Sequence, residues 1–139
     1  MKNSIKYSSV LILAFVSFGF ACPKNKLKKA IVGSWSNSGY VENSIVADKS
    51  DSLAKDSPGI QFNKDGTLIK RQNAGWCGTP PITYSNQEGN WTVLNDSTIR
   101  ISYSYWRGPV EEDLWIQSVN DTKLQYQIIA SRNIEEKKD

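Results

Sequence analysis

The chain has 139 residues, with 17 Lys and Arg against 14 Asp and Glu, two cysteines, no histidine and a formal net charge of +3. That length admits one domain and little more. Without histidine the usual triad base and the commonest transition-metal ligand are missing, and so few thiols cannot complete a tetrahedral zinc site, so neither a cofactor nor a metal is expected.

Lys2 and Lys6 precede an apolar run from Val10 to Phe20. The run falls short of the about 20 residues that a spanning helix needs. It has the length of a signal-peptide core, about 7–15 residues, so residues 1–21 are expected to be a leader. The leader ends in Ala21-Cys22, which resembles the lipobox of bacterial lipoproteins. That resemblance implies cleavage before Cys22, acylation of that residue by palmitate-like chains, and a place in the cell envelope on a membrane. Gly19-Phe20-Ala21 also suits ordinary signal-peptide cleavage, which would give a secreted protein. Residues 22–30 carry Lys24, Lys26, Lys28 and Lys29 and read as a polar tether, either solvated or touching anionic headgroups.

Residues 31–134 hold nine basic and eleven acidic side chains, and residues 135–139 form a charged tail. The folded body therefore has no basic excess, which argues against a nucleic-acid partner. From residue 31 the sequence alternates short strand-like runs with turn signals. "GIQF" and "TLIKR" flank Asn63-Lys64-Asp65-Gly66, a hairpin signal because glycine accepts the positive φ of a tight turn. Asn95-Asp96-Ser97 makes a second turn. Ile99, Ile101, Tyr103 and Tyr105 then alternate with polar residues, the period of a half-buried strand. "EEDLWIQSV", a turn at "NDT" and "KLQYQIIA" complete the series, with Leu124, Tyr126 and Ile128 expected on one face. The count is seven or eight antiparallel strands in an up-and-down meander, expected to close into a small barrel because closure removes exposed edges. Two longer segments interrupt it: residues 42–57, with at most one helical turn near Ile45–Leu53, and residues 73–81.

Gly33-Ser34-Trp35 opens the first strand, and Arg132 stands in the last. Together with "FNKDGT", "EGNWTVLND" and "LWIQSVNDTKLQY", these residues resemble the lipocalin and fatty-acid-binding superfamily, and in particular small bacterial lipocalin-like domains, over about residues 30–132. The resemblance implies a calycin-type barrel in which Gly33 begins the first strand, Trp35 lies buried across the closed end, and Arg132 packs over Trp35. It also implies a small, partly apolar ligand.

Aromatic residues supply the candidate binding surface: Trp76, Tyr84, Trp106 and Trp115 fall in or near loops and strand ends, where they would hold an apolar or sugar-like ligand. The same residues serve equally as the core of a small β domain. Cys77 sits in "NAGWCGTPP"; if Cys22 is acylated it has no partner and is expected to be a sheltered structural thiol, and if not, the two could pair. Glu111 and Asp113 share one strand face, as glycosidase carboxylates do, but a solvated edge explains them more simply. The sequence thus points to a protein that binds and does not catalyse: a membrane-anchored carrier of a small ligand, or a filled barrel that presents loops 42–57 and 73–81 to an envelope protein as inhibitor or assembly subunit.

Overall fold

The computed structural model describes residues 23–75 and 80–134, so Cys22, Trp76 and Cys77 lie outside the described residues. One helix, α1 (Pro23–Ile31), leads into eight strands: β1 (Gly33–Val41), β2 (Ser44–Ser50), β3 (Gly59–Phe62), β4 (Thr67–Asn73), β5 (Tyr84–Val93), β6 (Thr98–Tyr105), β7 (Gly108–Val119) and β8 (Lys123–Asn133). All neighbours are antiparallel, and the sheet closes on itself. The expected all-β barrel is present.

From β3 to β8 each strand pairs with the next, as the tight turns at 63–66, 94–97 and 120–122 dictate. Gly66 adopts φ +90°, the conformation for which glycine is suited. The β1–β2 hairpin enters this wall in reversed order: β2 pairs with β8, and β1 pairs with β3. Because β2 and β3 run in the same direction, the chain between them must return along the barrel. Residues 51–58 do so outside β1, held where Ala54 N donates to Ser36 Oγ at 2.8 Å and Asn37 N donates to Pro58 O at 2.8 Å. The segment 42–57 is therefore strand β2 followed by a return connection, with no helical turn.

The two ends of the barrel differ. At one end α1 lies across the opening. Leu27 and Ile31, one turn apart, bury themselves among Trp35, Phe62, Leu68, Ile99, Leu114 and Leu124. The stretch expected to be a free tether is thus part of the core on one face, while Lys24, Lys26, Lys28 and Lys29 stay exposed on the other. At the opposite end, the mouth, lie the β1–β2 turn, the β4–β5 connection, the β6–β7 turn and the end of β8.

Candidate functional site

Strands alternate their side chains, so every second residue of each strand reaches the lumen. On β4 those residues are Leu68, Lys70 and Gln72; on β6, Ile99, Ile101, Tyr103 and Tyr105; on β7, Val110, Glu112 and Leu114. Half-way along the lumen the apolar core gives way to a polar layer. Lys70 Nζ donates to Glu112 Oε2 at 2.5 Å and to Tyr103 Oη at 2.9 Å, and Tyr103 Oη donates to Glu112 Oε1 at 3.1 Å. The ammonium also stands 4.5 Å from the centre of the Tyr103 ring. These contacts join β4, β6 and β7 inside the lumen at that level.

Burial dominates the electrostatics of this layer. It pushes the Lys70 pKa below the ordinary lysine value, against the opposing pull of Glu112. It pushes the Tyr103 and Tyr126 hydroxyls above the ordinary tyrosine value, with the Glu112 carboxylate reinforcing both shifts. Above this layer, towards the mouth, Asn37 Oδ1 and Gln72 Nε2 are buried and find no hydrogen-bond partner among the described residues. One is an acceptor and the other a donor, and a native barrel rarely leaves such atoms unmade. Gln87 Nε2 donates to Ser85 Oγ at 3.0 Å on the same inward face of β5, and Tyr105 Oη donates to Asn73 O at 3.2 Å at the rim.

The aromatic candidates divide. Tyr84 begins β5 at the mouth, half-buried, but beside the inward Ser85 it faces the outer wall. Trp106 lies in the β6–β7 turn at the same end, 54% exposed, edge-on to Tyr105 at 5.7 Å and 4.5 Å from the Arg107 guanidinium. Trp115 does not belong to this group. It falls between the inward Leu114 and Ile116, pairs with Thr98, and so stands 41% exposed on the outer wall away from the mouth.

Gly33 and Trp35 sit at the α1 end. Gly33 has φ +135°, and a Cβ there would lie 3.0 Å from Lys49 Cε. Trp35 is fully buried, and its indole N–H donates to Ile31 O at 2.7 Å, pinning α1 to the barrel. Its cation is Lys49, whose ammonium stands 5.2 Å from the ring centre, and not Arg132. The register explains this correction. Trp35 pairs with Lys49 on β2, the neighbouring Asp48 pairs with Lys123 at the start of β8, and Arg132 lies near the other end of β8. The reversed hairpin puts β2 where a simple meander would have put β8 against β1.

Arg132 instead works on the outer wall. Its Nε donates to Glu111 Oε1 at 2.6 Å and its Nη2 to Asp113 Oδ2 at 3.0 Å, while Arg100 grips Asp113 with two bonds of 2.8 and 3.1 Å. Arg100 and Arg132 hold the Asp113 carboxyl at about 2. Glu111 and Asp113 are therefore an arginine-clamped surface ladder, and Asp113 is held ionised near neutral pH, where a glycosidase acid must keep its proton. Among the described residues no group of three or more potential metal ligands occurs. Comparison with known proteins finds no matching family model, no matching curated protein and no matching solved structure.

Proposed function

We propose that the protein is a membrane-anchored, lipocalin-like lipoprotein of the bacterial envelope that binds a small, partly apolar ligand at the mouth of its barrel. The observation that carries this reading is the pair of orphaned inward groups, Asn37 Oδ1 and Gln72 Nε2, above the Lys70–Tyr103–Glu112 layer. A ligand that offers one donor and one acceptor would satisfy both, and each buried polar atom left unpaired costs about 1–3 kcal/mol. The layer beneath has its cation neutralised by its own carboxylate, which favours an uncharged or zwitterionic ligand over a strong anion. Tyr105 and Trp106 supply aromatic faces at the rim for the apolar part.

Native purification followed by mass spectrometry of the extracted small molecules tests this. A single compound should be released from the wild type and be depleted in Gln72→Leu. Absence of any compound from a folded wild type argues against the ligand reading. It would turn attention to the second reading, a partner-binding module, which is favoured by the filled α1 half of the lumen.

A further inference from the structure

We infer that the α1 end of the barrel docks on an anionic phospholipid surface, so that the mouth faces away from the bilayer; this rests on the proposed membrane attachment at Cys22. Three observations converge. First, α1 carries Lys24, Lys26, Lys28 and Lys29 and no acidic residue, and all four lysines are exposed because Leu27 and Ile31 take the inward face. Second, Asn25, Lys28, Lys29 and Val32 line a cleft of about 720 Å³ whose far wall is Lys64 from the β3–β4 turn. None of these five lysines forms an ion pair among the described residues. The acid beside Lys64 is engaged elsewhere, since Asp65 Oδ1 accepts from Thr67 N at 2.9 Å and from Thr67 Oγ1 at 2.6 Å. Asp96 and Asp121 stand in the other two turns at this end, and the barrel body as a whole carries two more acids than bases. Positive charge is thus gathered on the helix side.

Third, α1 begins at Pro23, directly after the proposed attachment residue, with no spacer between them. At about 1.5 Å rise per residue the whole helix reaches only about 14 Å from that point. The Debye length at physiological salt is about 8 Å, so Lys24 and Lys26 lie well inside the field of an anionic headgroup layer, and Lys28 and Lys29 close to it. Five cations gathered at one end of the barrel, three of them lining the cleft, match anionic headgroups in charge. A flexible tether would not fix which side of the domain meets the membrane; a helix packed across the barrel end does.

The test uses the full chain reconstituted with vesicles of phosphatidylcholine alone, and with vesicles containing about a third phosphatidylglycerol. Flotation reads attachment, and amine acetylation followed by peptide mass spectrometry reads each lysine. Lys28, Lys29 and Lys64 are expected to label about fivefold more slowly on the anionic vesicles, with Lys55 on the return connection unchanged. The difference is expected to vanish at about 1 M salt, where the Debye length falls to about 3 Å. In the variant K24Q/K28Q/K29Q, Lys64 on the β3–β4 turn remains as a reporter and should lose its dependence on lipid composition. Flotation with anionic vesicles alone supports the lysine face and overturns the anchor. Equal labelling on both vesicles overturns the lysine face, as does a Lys64 difference that survives the threefold substitution.

Discussion

Glu112→Ala should be among the most damaging single substitutions in this barrel, and the polar layer sets its size. Lys70 and Glu112 side chains are only 12% and 10% exposed. Removing one member of a buried ion pair costs about 3–5 kcal/mol, because the other charge stays behind without compensation. For a domain of this size that corresponds to a fall in Tm of at least about 12 °C. The cost has a ceiling, since Lys70 already has a lowered pKa from burial and escapes by losing its proton. Unfolding then takes up a proton, so the stability of the variant must rise as pH increases towards the unfolded lysine value of about 10.4. The double variant K70M/E112L removes both ions and should return to within about 2 kcal/mol of the wild type, the remainder being the unpaired Tyr103 hydroxyl. Urea unfolding followed by tryptophan fluorescence measures all three proteins. A Glu112→Ala loss below about 1 kcal/mol, or a double variant as unstable as the single, would refute the picture of a buried ionic layer.

Three further outcomes follow from the geometry. Asp113 has a folded pKa of about 2, held down by Arg100 and then Arg132, so it stabilises the fold above pH about 4 and ceases to do so as pH falls towards about 2; Asp113→Asn should flatten that part of an acid-unfolding curve. Trp35→Phe deletes the bond to Ile31 O and should cost about 1–3 kcal/mol, with hydrogen exchange accelerating in α1 before it does in β6 and β7. Gly89→Ala would place a Cβ 2.0 Å from Ser102 O and 2.9 Å from Tyr103 Cβ, so it should push β5 from β6 and leave little folded protein by circular dichroism.

What the sequence disclosed was local. Turn signals at 63–66, 95–97 and 120–122 and the alternation in Ile99–Tyr105 placed six strands, because each of those signals is complete within a few residues. The reversed hairpin has no such local signature: nothing in β1 or β2 states which distant edge each will meet. Glu112 was hidden in "EEDL", where three acids in a row look equally solvated and only the strand register turns the middle one inward. A lysine alternating with Leu68 and Gln72 was the available sign that the lumen had a polar floor. Ile128 was expected beside Leu124 and Tyr126 and does pair with the inward Leu114, yet it is 38% exposed, because the β2–β8 pairing ends at Tyr126 and leaves this stretch of β8 uncovered on that side.

The β2–β8 seam has a consequence for how the molecule is made. Lys123 Nζ and Asp48 Oδ1, bonded at 2.7 Å across it, are 75 residues apart, whereas the pairings from β3 to β8 join strands that follow one another in the chain. Contacts between distant residues form late, since their loop-closure entropy must be met before they stabilise anything. The β2–β8 seam is therefore the last to close, even though β1 meets β3 within 30 residues of chain, and until then β8 offers a bare edge. An edge of that kind accepts the same strand from a second chain as readily as from its own. Rapid refolding at high concentration should accordingly yield dimers that exchange the β1–β2 hairpin. Dilute or slow release of the chain gives each barrel time to close on itself.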